Sequence, residues 1–261
     1  MAEIVDRHPR GSGSATMLAP EPNAEASKCL LRTAGLRKRF GGVIAADNIN
    51  FAVRPGEFRC IIGPNGAGKS TLFALLCGIH RPDSGRILFR NTDVTLLPAF
   101  RRVRLGIGLT FQTNRTFHSL TVAENLDAAR HTRANQTNEH FDHAIARFQL
   151  EDALARPSRE LPHHQRQWLE ICMALRQGPD ILLLDEPTAG MSGEETMYTA
   201  KALRELAAQG LTIVVVEHDI AFVREVADSV TVLHYGRIFA EGTVSEITGR
   251  EDVREIYLGR A

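Results

Sequence analysis

The stretch Gly63-Pro64-Asn65-Gly66-Ala67-Gly68-Lys69-Ser70-Thr71 sets two glycines around four residues, then a lysine and two hydroxyls. That spacing suits a cluster of anionic oxygens. Glycines at 63, 66 and 68 allow backbone conformations that a side chain blocks, so successive N–H groups can turn inward on phosphate. Lys69 offers a point charge to the outer phosphates. The hydroxyl of Ser70 suits Mg2+, a hard cation that prefers oxygen. The loop follows an apolar strand and opens a helix, whose positive end adds to the grip. Nucleotide binding is the chemistry this predicts.

A second stretch, Ile181-Leu182-Leu183-Leu184-Asp185-Glu186, reads as a buried strand delivering two acids to the edge of a sheet. Asp185 is a candidate Mg2+ ligand, and Glu186 can orient and deprotonate a water. Many strands end in an acid, so this stretch gains its meaning from the phosphate loop in the same chain. A third stretch, Leu161-Pro162-His163-His164-Gln165, puts two histidines at the mouth of a helix. A metal site is a poor account of them. Neighbours on a helix point in different directions, and no carboxylate or Cys cluster completes a coordination shell.

The elements that must position these residues are readable from periodicity. Residues 1–27, rich in Gly, Ser, Ala, Pro and Glu, read as a disordered tail. From Cys29 the pattern is strand-like, with a turn at 54–57, a buried strand into the glycines, and a helix from Lys69. Strands follow at 85–89 and 106–111. Residues 121–177 switch to helical periodicity, and Thr121 with Glu124 has the form of a capping box. Thereafter apolar strands alternate with helices, which predicts a mostly parallel sheet covered on both faces. We place the domain at 28–261, with an inserted helical subdomain at about 113–177.

Composition narrows the function classes. Lys plus Arg and Asp plus Glu are both 31 in 261 residues, which disfavours a nucleic-acid partner held by phosphate neutralisation. No apolar run approaches the ~18 residues of a membrane span, and the amino terminus carries no signal-like apolar segment. The cysteines, at 29, 60, 77 and 172, are scattered and read as reduced thiols.

The order of these motifs from about Cys29 to Leu258 resembles the ATP-binding subunit of an ABC transporter. The resemblance implies a P-loop NTPase fold: an ABC-type nucleotide-binding domain with a RecA-like core, an antiparallel β subdomain and the inserted helices. It implies ATP and Mg2+ as ligands and an ATP hydrolase as the activity. On the matching positions, Phe40 would stack on adenine. Gln112 would touch the metal and report to the membrane subunit, and His218 would reach the γ-phosphate. Residues 189–192 would cross to a partner subunit. Leu161–Gln165 stands where such subunits usually carry Leu-Ser-Gly-Gly-Gln, the segment that binds the γ-phosphate of the partner's ATP. Pro162, His163 and His164 depart from it, which makes this a degenerate signature.

The resemblance also implies partners: two transmembrane permease subunits, a second ATP-binding subunit, and indirectly a solute-binding protein. The chain would be cytoplasmic, at the inner face of the cell membrane through the permeases. The altered signature favours a heterodimer with one competent site. The stretches around Trp168, His218 and Arg254 resemble the urea and short-chain amide branch of the group that imports branched-chain amino acids. The alternative cargo is a branched-chain amino acid. A soluble ABC mechanoprotein, or a module that holds ATP without turnover, are the rivals of another class. The first usually has paired cassettes or a long coiled coil. Against the second stand Asp185, Glu186 and His218.

Overall fold

The computed structural model describes residues 28–110, 116–130 and 138–258. The predicted tail at 1–27 and Gln112 lie outside the described residues.

The chain opens with β1 (Leu31–Phe40), β2 (Val43–Ile49) and β3 (Ala52–Val53). Then come β4 (Phe58–Ile62), α1 (Lys69–Cys77), β5 (Ser84–Phe89), β6 (Thr92–Asp93), α2 (Ala99–Leu105) and β7 (Ile107–Leu109). Three helices follow: α3 (Val122–Ala128), α4 (Glu139–Arg147) and α5 (His163–Leu175). The last part runs β8 (Ile181–Asp185), α6 (Gly193–Ala208), β9 (Thr212–Val216), α7 (Ile220–Val226), β10 (Ser229–His234), β11 (Arg237–Gly242), α8 (Val244–Gly249) and α9 (Glu251–Leu258).

Two sheets result. One is antiparallel, in the order β2-β1-β5-β6, with β3 also on β1. The other runs β11-β10-β4-β9-β8-β7 and is parallel except for the β10–β11 pair. The α/β fold and antiparallel sheet expected from the sequence are therefore present.

Side-chain alternation decides what covers the parallel sheet. On β9, Ile213 and Val215 join one core with Leu182 and Leu184 of β8, while Val214 and Val216 join another with Ile181 and Leu183. This is the period of two expected where both faces are buried. The first core takes in Trp168, Leu203 and Phe222 from α5, α6 and α7. The second takes in α1 and the antiparallel sheet. Helix α1 is thus caught between layers, which is why Leu72 to Cys77 are all buried and it carries no polar face.

Local chemistry sets the helix ends. Thr121 and Glu124 form the expected capping box on α3. Asn138 caps α4, and its Nδ2 donates to the Leu175 carbonyl at 2.6 Å, tying α4 to the end of α5. Between α5 and α6, Trp168 Nε1 donates to Thr199 Oγ1 at 2.8 Å. Cys60, Cys77 and Cys172 are buried, and burial pushes each thiol far above its ordinary range. No helix among the described residues is long and apolar enough to cross a membrane.

Candidate functional site

Strand register builds the site. Ile61 of β4 lies opposite Val216 of β9, and Val216 lies opposite Asp185 of β8. Three neighbouring parallel strands therefore end level. The chain leaving β4 carries Gly63 to Ser70, the chain leaving β9 carries Glu217 and His218, and β8 ends on Asp185 with Glu186 next. The carboxyl edge of such a sheet is where ligands of these folds bind.

The loop after β4 is held closed from behind. A Cβ on Gly63 would run into the Leu233 carbonyl, and one on Gly68, whose φ is 101°, would run into the Ala45 carbonyl. Gly236 N–H donates to Ala67 O at 2.9 Å, and Ala67 N–H to Pro64 O at 3.1 Å. Asn65, Gly66 and Ser70 are exposed on the open side. Helix α1 starts at Lys69 behind Gly68, with no side chain capping its first turn. The first N–H groups of a helix have no carbonyl behind them and suit an anion. Lys69 Nζ donates to Gly63 O at 2.7 Å and Pro64 O at 3.1 Å. Burial lowers its pKa, against the pull of Glu186 and Asp185. Those two carboxylates are therefore close enough to act on the ammonium.

Asp185 titrates high, pushed up to about 6 by burial and by Glu186, with Lys69 opposing. Glu186 takes a left-handed backbone, φ 47°, with its N–H on Val216 O at 2.9 Å. A non-glycine residue there is uncommon and costs energy that the surroundings must hold. His218 Nδ1 is 3.9 Å from Glu186 Oε1, so the ends of β8 and β9 bring these two sequence candidates together. Phe40 ends β1, is 44% exposed, meets His80 edge-on at 5.3 Å and has Lys38 Nζ over its ring at 5.4 Å from the centroid.

The altered stretch begins α5. Leu161 is buried, Pro162 is the N-cap, and His163 and His164 are the first helical residues. Proline needs no N–H partner there. The two rings diverge. His163 Nε2 lies 2.9 Å from Ala189 O, and because a carbonyl only accepts, that nitrogen carries the proton. His164 Nδ1 is 2.5 Å from Glu195 Oε1, and its ring meets Trp168 at 4.7 Å. Glu195 closes the capping box of α6 with Ser192, whose N–H is the first cause of its lowered pKa. Gln165 Oε1 is buried without a hydrogen-bond partner among the described residues. No group of three or more His, Cys, Asp or Glu among the described residues could hold a metal ion. Both histidines are spent on the segment that follows β8.

Sequence reasoning missed Glu217 and Thr188. Glu217 is 1% exposed and Thr188 Oγ1 donates to its Oε1 at 2.5 Å. The one available signal was a charge directly continuing the four-residue apolar run of β9.

The fold and this strand edge define a phosphate-loop ATPase. A model of the ABC transporter family matches residues 46–189, more than half of the chain. The high-affinity branched-chain amino acid transport ATP-binding protein LivG of Escherichia coli K12 is 35% identical, over 90% of this chain and 100% of that protein. BraF of Pseudomonas aeruginosa, named likewise, is 32% identical over the same shares. A nucleotide-free ATP-binding cassette from an ABC transporter superposes with a TM-score of 0.78 at 30% identity, covering 89% of this chain and all of that one. Another cassette, in its ADP conformation, gives 0.78 at 29%, over 89% and 99%. The chain belongs to the ABC transporter family. It binds and hydrolyses ATP.

Proposed function

We propose that this chain is an ATP-hydrolysing subunit of an importer for branched-chain amino acids. The observation that carries the reading is the LivG match, which spans the whole of that relative. The urea and short-chain amide cargo suggested by the flanking stretches lacks such support, since neither LivG nor BraF carries that name. In cells lacking this chain, uptake of labelled leucine is expected to fall to background while urea uptake is unchanged. Loss of urea uptake alone would reverse the assignment.

Hydrolysis divides among the residues at the strand ends. The loop from Gly63 to Gly68 wraps the phosphates, with Pro64, Asn65 and Ala67 shaping it and Thr71 in the first turn of α1. Lys69 and His218 meet the charge that develops on the terminal phosphate. Glu186 takes the proton of the attacking water. Phe40 supports the adenine ring. Ser70 and Asp185 are oxygen donors of the kind Mg2+ takes, few in number as suits an ion that keeps its waters, and Gln112 is a third expected donor. The chemistry that ion supplies is neutralisation of phosphate charge.

Assembly follows from the altered signature. We assign the working form to a pair of cassettes on two permease subunits, with a different cassette as partner and a solute-binding protein delivering cargo. The rings of His163 and His164 bond within their own chain and Pro162 has neither hydroxyl nor N–H, so the side chains of this segment do not replace the serine donor that a Ser-Gly-Gly segment would offer the partner's ATP. Each charge-assisted hydrogen bond so lost removes about 1.5–3 kcal/mol. The triple change Pro162→Ser, His163→Gly and His164→Gly is expected to raise turnover with the native partner by about tenfold or more. Steady-state phosphate release reads this out. An unchanged rate sinks the degenerate-signature reading.

A further inference from the structure

The buried carboxylate of Glu217 has no place in the division of labour above, yet it touches both halves of it. Its Oε1 accepts from Thr188 Oγ1 at 2.5 Å and from Thr188 N–H at 3.4 Å. Its Oε2 accepts from the N–H groups of His218 at 3.0 Å and Asp219 at 3.5 Å. His218 Nδ1 is 3.7 Å away on the same oxygen. Each oxygen thus serves a different loop: Oε1 the one leaving β8, Oε2 the one leaving β9. A charge at 1% exposure is costly unless donors surround it, and here its donors among the described residues belong to the two segments that carry Glu186 and His218.

We propose that Glu217 is a positioning residue for ATP hydrolysis, a brace that sets Glu186 and His218 in one frame. Two further features fit. Glu186 holds an unfavourable left-handed backbone, and the turn that follows it closes through Ala189 N–H on Glu186 O at 3.1 Å. Thr188 lies inside that turn, so the Thr188–Glu217 bond holds the turn that aims Glu186. On the other side, the backbone bond to His218 N–H fixes where its imidazole starts from, 3.9 Å from the Glu186 carboxylate. A misplacement of about 1 Å in such a pair can cost roughly a hundredfold in rate. The inference rests on the roles given to Glu186 and His218 in the preceding subsection.

The test compares Glu217→Ala, Glu217→Gln and Thr188→Val in the full chain assembled with its native partner subunits, each also in a His218→Ala background. Glu217→Ala is expected to lower kcat roughly ten- to hundredfold with KM for ATP unchanged. Glu217→Gln, which keeps one acceptor oxygen of the two, should recover only part of that loss. In the His218→Ala background Glu217→Ala should cost far less than it does alone, because the two residues act as a unit. A merely structural role would lower the melting temperature and the active fraction without this non-additivity. If Glu217→Ala does not fold, Thr188→Val reads the same brace and should lower kcat in the same sense. Full kcat in Thr188→Val and Glu217→Gln, or losses that simply multiply with His218→Ala, would overturn the inference. If Glu186→Gln itself leaves turnover intact, the failure lies in the role given to Glu186 instead.

Discussion

Replacing Glu186 with Gln is expected to cut ATP turnover by about two to four orders of magnitude, with ATP still bound. The substitution keeps the shape and removes the base. Glu186 is held at the end of β8 by its backbone bond to Val216 and by the turn through Ala189, and neither depends on its charge. Electrostatics give the sign of the effect on binding. Glu186 helps push up the Asp185 carboxyl, so its neutralisation lets Asp185 ionise more readily. The site also loses a negative charge that would face polyphosphate. Affinity for ATP should therefore hold or tighten while hydrolysis stops. Phosphate release, with retention of labelled ATP on the same preparation, measures both. Undiminished turnover would place the base elsewhere, and lost ATP binding would show that the carboxylate serves the loop's structure.

The parts of this site that are local in sequence are legible there. The phosphate loop is one contiguous stretch whose Gly63 and Gly68 are required by backbone carbonyls behind them, those of Leu233 and Ala45. Asp185 and Glu186 end an apolar run, and the capping box on α3 is two residues three apart. What is not legible depends on contacts between distant segments. Helix α2 shows no apolar stripe because its one buried residue is Arg102. That guanidinium caps α1, donating to the Leu75 and Leu76 carbonyls at 2.7 Å each, and burial brings its pKa down to about 10. No periodicity rule scores a buried arginine as core. Glu217 looks in sequence like any acid after a strand, and only Thr188, 29 residues earlier, reveals its work. The histidines at 163 and 164 pose the same difficulty. The sequence shows what they replace, and the fold shows that they bond to Ala189 and Glu195.

Lys69→Met is expected to separate function from stability more sharply than any other change. Loss of a charge-assisted contact of about 1.5–3 kcal/mol should weaken ATP binding by roughly ten- to a hundredfold. Removing a donor from developing phosphate charge should lower turnover by a further factor of about a hundred or more. The carboxylates of Asp185 and Glu186, which now act on the ammonium, would be left to repel the nucleotide. Stability is expected to move little. The folded-state pKa of Lys69 lies below its ordinary value, with burial the first cause, so at neutral pH the fold carries a charged group at a disadvantage. That disadvantage is present below the folded pKa and disappears as pH rises past the unfolded value. Methionine matches the stem without the charge, so the cost of burying the ammonium is removed while Asp185 and Glu186 lose its attraction. The substitution also removes the hydrogen bonds to the carbonyls of Gly63, which is buried, and Pro64, a loss that counts against this gain. Without nucleotide, the melting temperature at pH 7 should therefore change little. The increase that ATP normally adds by binding the folded state alone should shrink in proportion to the lost affinity. A melting temperature that falls steeply without nucleotide would mean that Lys69 serves first to close the loop on itself. An ATP-induced rise of full size would remove Lys69 from the phosphate grip altogether.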